Sequence, residues 1–364
     1  MEQEFNLEKY LNNGIENIIK GTVKAALKNP KESAYIAKFS LAVSKGVKIR
    51  QKLKKAGEHI PPFLIASITS TCNLHCKGCY ARANFSCTDE EAGHQLSTGD
   101  WDRIFKEAGQ LGISFILLAG GEPLLRKEVL EAAARHKNIL FPVFTNGTMF
   151  DEVSITLMDK NRNVVPVISI EGAADTTDAR RGNGIYFKLM QDMEEMKRLS
   201  ILFGASVTVN KDNIEEVTGE AFLSNLAHRG CKVVFYVEYV PVTAESGDIA
   251  PTDAERSYLE KRLLILRKTY DDMIFISFPG DEKSSGGCLA AGRGFFHINC
   301  QGGAEPCPFS PYSDTNLKEV SLKEALHSPL FQNLQKNGIL TGEHNGGCVL
   351  FEQKNTVKSM IGGI

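Results

Sequence analysis

Between residues 63 and 241 the chain repeats one unit, a short apolar run followed by an amphipathic stretch. The runs at 63–68, 115–119, 141–145, 164–170, 205–209 and 233–240 are apolar on both faces, as strands covered on both sides must be. Stretches with helical spacing separate most of them, at 98–111, 126–136, 155–160, 185–199 and 214–228. About six such units predict an α/β fold, a parallel barrel or part of one, with an open doubly wound sheet as the rival on pattern alone. Residues 1–60 read as a helical extension broken near Asn29-Pro30, in which Leu41, Val43, Val47 and Ile49 alternate with small and basic residues. Pro61-Pro62 closes it. A charged helix is expected over 251–272, carrying Leu259, Leu263, Leu264 and Leu266, and Lys283-Ser284-Ser285-Gly286-Gly287 reads as a linker. The expected division is an extension at 1–60, a barrel at 61–245, a connector at 246–285 and a small C-terminal domain at 286–364.

Length and a 42% hydrophobic composition allow one large core and a smaller domain. The net charge of −2 gives no reason to expect a nucleic-acid partner. Charge is nevertheless uneven: Lys20 to Lys55 holds eleven Lys/Arg and one acid, Glu32. A solvated helical cap on the barrel explains that stretch, and peripheral contact with an anionic membrane surface is the other expectation. The start, Met1-Glu2-Gln3-Glu4, lacks a basic lead into an apolar signal core, and no apolar run is long enough to span a bilayer. A cytoplasmic setting with reduced cysteines is therefore expected for the nine thiols.

Directly after the first strand, Cys72, Cys76 and Cys79 stand in a C-x3-C-x2-C loop. Three soft sulfurs this close suit three corners of a cubane iron–sulfur cluster, leaving one iron open to a ligand. A zinc site is the alternative, with His75 as a cramped fourth ligand.

The loop, with Tyr80 as the aromatic after its last cysteine, resembles that of the radical S-adenosylmethionine (SAM) superfamily. The resemblance implies a partial (β/α)6 barrel. Gly120-Gly121-Glu122-Pro123 after the second strand is similar to that family's G-G-E-P element, which contacts the SAM amino group, and Glu122 is a possible acceptor for an ammonium. By the same resemblance Ser169 and Glu171 reach toward the SAM ribose, Arg181 faces its carboxylate, and Asn210 and Val240 contact the adenosine half. Thr145-Asn146-Gly147 matches a recurrent turn. Cys288, Gly302 and Cys307, followed by Cys348, resemble the SPASM or twitch type of auxiliary-cluster domain. Only four cysteines are present there, with Cys300 the fourth, so one auxiliary [4Fe–4S] cluster is implied. The implied activity is reductive cleavage of SAM to a 5′-deoxyadenosyl radical that abstracts a substrate hydrogen atom, the auxiliary cluster binding substrate or accepting an electron. A flavodoxin or ferredoxin would supply the electron. A peptide or protein side chain, or a small or lipid-like metabolite, would be the substrate. The non-enzymatic rival is an iron–sulfur scaffold or electron carrier.

Overall fold

The computed structural model describes residues 7, 11, 30–90, 93–242, 244–281, 286–341 and 348–361. Most of the N-terminal extension before Pro30, the linker residues Lys283 to Ser285, and Gly347 lie outside them.

The described strands are β1 (Phe63–Thr69), β2 (Phe115–Gly120), β3 (Phe141–Thr145), β4 (Val164–Ser169), β5 (Gly204–Val209), β6 (Val233–Glu238), β7 (Ile274–Phe278), β8 (His297–Ile298) and β9 (Ala304–Glu305). They form one sheet in the order β7-β6-β5-β4-β3-β2-β1-β8-β9. From β1 to β7 every pairing is parallel, so the described residues make a partial (β/α) barrel in which each strand returns through a helix. All six expected strands are present. The chain between them forms α2 (Thr98–Gln110), α3 (Lys127–Arg135), α4 (Glu152–Lys160), α5 (Ala174–Arg181), α6 (Ile185–Arg198) and α7 (Glu220–His228). Ser97 and Asp100 form a capping box that starts α2, and Asp151 caps α4.

Strand β1 shows how the two faces divide. Leu64, Ala66 and Ile68 are fully buried beneath the outer helices, while Phe63 and Ile65 turn into the barrel. A seventh strand was not anticipated: β7 follows the helix α8 (Asp253–Thr269) and pairs with β6, Val234 opposite Phe275. Five residues gave too short a run to separate from loop by pattern, and pairing with β6 makes it a strand. The C-terminal segment also enters this sheet. Its hairpin β8–β9 pairs with the free edge of β1, Ile65 opposite His297 and Ala66 opposite Ile298. Phe295 then stacks on Phe63 at 5.1 Å and meets Phe278 edge-on at 5.7 Å, bridging the two ends of the seven-stranded array.

The helix α1 (Pro30–Lys55) covers the N-terminal ends of the strands. Phe39 and Val43 pack on Phe115, the two rings edge-on at 5.5 Å. A buried pair, Glu32 with Arg162 at 2.5 Å, and Arg50 donating to the Gly112 carbonyl fasten it to the barrel. Its apolar side therefore faces the barrel. Lys38, Leu41, Lys45, Lys48, Lys52 and Lys55, spaced three or four apart, form an exposed outer stripe. No helix among the described residues is long and apolar enough to cross a membrane.

Candidate active site

Strand β1 runs directly into the cysteine loop, and two sets of bonds fix that loop's shape. Arg82 donates to the carbonyls of Leu74 at 2.9 Å and Cys72 at 3.1 Å while pairing with Asp89 at 2.8 Å. From the other side, the Gly121 and Glu122 amides donate to Thr69 and Thr71, both at 2.8 Å. This contact is so close that a Cβ on Gly121 would lie 2.0 Å from the Thr71 oxygen. Gly78 has φ +65°, and a Cβ there would strike the Tyr239 hydroxyl at 2.5 Å, so the loop can approach β6 only with glycine at this position.

Cys72, Cys76 and Cys79 are partly exposed on this loop. Asn146 directs an N–H at the Cys72 sulfur and Arg181 one at the Cys76 sulfur, each at 3.9 Å. A hydrogen bond from Cys87 lowers the Cys72 thiol, helped by the Leu74 amide and Arg82. Burial raises Cys76 against the pull of Arg181 and Arg180. Among the described residues no three His, Cys, Asp or Glu side chains converge as around a single ion. Soft thiol donors with N–H groups aimed at their sulfurs fit an iron–sulfur cluster.

The loop opens on a cavity of about 1090 Å³ that runs down through the barrel to Tyr35 and Phe39 of α1. Cys72, Cys76, Cys79, Tyr80, Gly120, Gly121, Ser169, Arg181 and Val240 all line it. Four other expected contacts do not. Glu122 is fully buried behind the glycines, where its carboxylate accepts from the Leu124 and Asn146 amides and the Thr145 hydroxyl at 2.7–3.0 Å. It organises the turn, and burial raises its pKa to about 7. Pro123 starts a 3-10 turn and is likewise buried. Asn210 accepts from the Asp212 and Asn213 amides, closing a turn away from the cavity.

Glu171 is the fourth. It is 1% exposed and holds both Arg180 and Arg181, and it accepts from the Thr208 amide at 3.1 Å. Burial alone would raise this carboxyl, but the two guanidiniums outweigh it and hold the group below its usual range. Arg180 also donates to the Lys77 carbonyl and the Thr208 hydroxyl, so both arginines brace the cysteine loop against β4 and β5. Arg180 and Arg181 thus work as a pair around one acid.

In the C-terminal segment the Ala291 amide donates to the Pro306 carbonyl, joining the Cys288 turn to the Cys307 turn. Cys288 and Cys307 are buried, and Cys348 precedes a short helix at Val349–Glu352. Cys300 stands in the β8–β9 turn. Burial raises its thiol, against a hydrogen bond with Ser70. Phe309, next after Pro308, meets the Tyr80 ring at 4.8 Å, so this segment forms part of the cavity wall beside the first loop. One further group had no signal in sequence. Ser67 on β1 and His297 on β8 meet at 2.7 Å, and the other His297 nitrogen meets Glu305 at 2.6 Å. These residues are 230 and 8 positions apart and come together only through strand pairing.

Residues 66–223 match the family model described as the Radical SAM superfamily. The AdoMet-dependent heme synthase of Methanosarcina barkeri is 27% identical over 323 residues, covering 80% of this chain and 89% of that protein. The Fe-coproporphyrin III synthase of the same organism is 30% identical over 210 residues, 56% of this chain; the match spans about half of that relative, 48% of its length. Among solved structures, Streptococcus suis SuiB bound to its precursor peptide SuiA superposes with a TM-score of 0.65 at 17% identity, over 80% of this chain and 70% of that one. That likeness is one of fold.

Proposed function

We propose that this chain, whose residues 66–223 match the Radical SAM superfamily model, is an oxidoreductase of that superfamily acting on a tetrapyrrole-class metabolite inside its barrel. In this reading Cys72, Cys76 and Cys79 hold a [4Fe–4S] cluster, and SAM lies between that loop, Gly120-Gly121, Ser169, Arg181 and Val240. When bound, these cofactors supply the electron for reductive cleavage of SAM and the radical that removes a substrate hydrogen atom. The residues of the chain do the rest. Arg181, oriented by Glu171, offers a fork of donors to a carboxylate; Tyr80 and Phe309 close the wall; Asn146 and Arg181 direct N–H groups at the cluster sulfurs. Cys288, Cys307 and Cys348 are proposed to carry one auxiliary [4Fe–4S] cluster, and a flavodoxin or ferredoxin to deliver the electron.

One observation carries the reading: the cysteine loop opens directly on a deep, mainly apolar cavity of about 1090 Å³. Its volume exceeds the roughly 300–1,000 Å³ typical of a pocket for one small ligand. Phe63, Phe144, Phe235, Phe275 and Phe278 line it, and such walls suit a flat apolar ring system better than a peptide. The two relatives named for haem-related synthesis support the same substrate class. An electron carrier would have no use for this chamber.

Anaerobic protein reconstituted with iron and sulfide, given dithionite, SAM and Fe-coproporphyrin III, should form 5′-deoxyadenosine and change the mass of the porphyrin. Cleavage of SAM with an unchanged porphyrin would overturn the substrate class, and no cleavage at all would overturn the activity.

A further inference from the structure

We propose that Ser206 on β5 is a substrate-positioning residue whose hydroxyl donates to a carboxylate oxygen of the substrate inside the chamber. This deepens the tetrapyrrole reading and rests on it.

Strand β5 turns alternate residues to the chamber. Gly204, Ser206 and Thr208 line it, whereas Ala205, Val207 and Val209 are fully buried on the opposite face beneath the helices. Ser206 keeps 9% exposure, and since its chain neighbours on the outer face have none, that exposure is to the chamber. The same alternation on β4 brings Val165, Val167 and Ser169 inward. Parallel pairing sets Ser169 directly beside Ser206, and the pairing with β6 sets Phe235 on the other side. The two hydroxyls therefore stand one strand apart, about 4.8 Å, in a row whose next member is an aromatic ring. Phe235 in turn meets Phe144 edge-on at 5.2 Å, and both rings line the chamber.

Neither hydroxyl is spent on the protein. Among the described residues the Ser169 and Ser206 side chains have no hydrogen-bond partner, so each keeps its hydrogen for a ligand. Thr208, the third hydroxyl on this wall, already accepts from Arg180 at 2.8 Å. Ser169 belongs to SAM in the reading above, which leaves Ser206 to the second molecule. When a flat apolar ring system displaces water from this wall, a hydroxyl left without an acceptor loses its solvation and regains nothing. A substrate that brings an oxygen to Ser206 avoids that loss, and an analogue lacking the oxygen is rejected. The carboxylates of a coproporphyrin are its charged oxygens. The cations of the wall are matched within the protein, Arg180 and Arg181 by Glu171 and Arg267 by Asp281, so a carboxylate finds its unclaimed donor at Ser206, one strand from SAM.

The test is anaerobic titration of the reconstituted enzyme with Fe-coproporphyrin III, followed by the porphyrin absorption band, alongside its tetramethyl ester, which has no carboxylates. Affinity for SAM is measured on the same proteins by equilibrium dialysis. Ser206→Ala should weaken Fe-coproporphyrin III binding about tenfold or more, as expected for one hydrogen bond to a charged group. It should leave ester binding, SAM binding and the thermal midpoint where they were, and Ser206→Thr, which restores a hydroxyl, should recover most of the affinity. Equal affinity of wild type and Ser206→Ala for the acid form overturns the anchor and leaves the substrate class standing. Equal weakening of acid and ester makes Ser206 a packing residue, and a loss confined to SAM gives its hydroxyl to SAM; either result overturns the anchor. Wild type that binds neither porphyrin overturns the anchor and the substrate class together.

Discussion

The chain holds cysteines in two very different settings. Cys72, Cys76 and Cys79 lie within eight residues on one loop whose shape is dictated by its neighbours, Arg82 on one side and the Gly121–Glu122 amides on the other. Cys288, Cys307 and Cys348 are spread over sixty-one residues and meet other parts of the fold one turn at a time. The first set is a local device attached to the end of a strand. The second depends on a hairpin reaching the β1 edge and on helices beyond it. A local site tolerates damage elsewhere, whereas a distributed one fails with any of its supports.

The sharpest way to break that contrast is to remove one thiol from each set. Cys76→Ala should abolish 5′-deoxyadenosine formation and cost about four irons per chain. Cys348→Ala should lose a similar amount of iron while SAM cleavage persists without substrate turnover, and Cys300→Ala should keep its full iron. Iron analysis with product chromatography decides it, and loss of SAM cleavage in both Cys76→Ala and Cys348→Ala would erase the distinction.

The next largest effect concerns the support of the first loop. Glu171→Ala leaves Arg180 and Arg181 buried without their acid, and denaturant unfolding should show a loss of about 3–5 kcal/mol. Because the Glu171 pKa lies below its unfolded value, its contribution is present above about pH 4.5 and disappears as pH falls through the folded value.

Glu122 behaves in the opposite sense, although it is equally buried. It faces neutral donors and no cation, and its pKa is raised to about 7. More protons are bound in the folded than the unfolded chain between pH 4.5 and 7, so apo-protein stability should decline as pH rises through that window. Glu122→Gln should flatten this part of the profile in urea melts followed by circular dichroism. A decline that survives the substitution assigns it to another group.

The smallest effect lies outside both sets. Lys45→Glu, Lys48→Glu and Lys52→Glu together should change stability by no more than about 0.5 kcal/mol, since these side chains are exposed. We propose that the stripe they form contacts anionic surfaces, so the triple variant should lose flotation with phosphatidylserine vesicles. Equal flotation of both proteins removes that contact.

Sequence determined what depends on neighbours along the chain. The apolar runs specify six strands because a strand covered on both sides has few other compositions, and the spacing of Cys72, Cys76 and Cys79 on one loop specifies the chemistry of three sulfurs. It could not decide what depends on partners far along the chain. Glu122 and Glu171 had the look of ligands, but the Asn146 amide in one case and Arg180 with Arg181 in the other occupy their carboxylates. The strand β7, the placement of the C-terminal hairpin on β1, and the meeting of Ser67, His297 and Glu305 are likewise products of pairing between distant segments. Residue type sets what a side chain can bond to, and only the tertiary structure decides which of those bonds the protein itself has already taken.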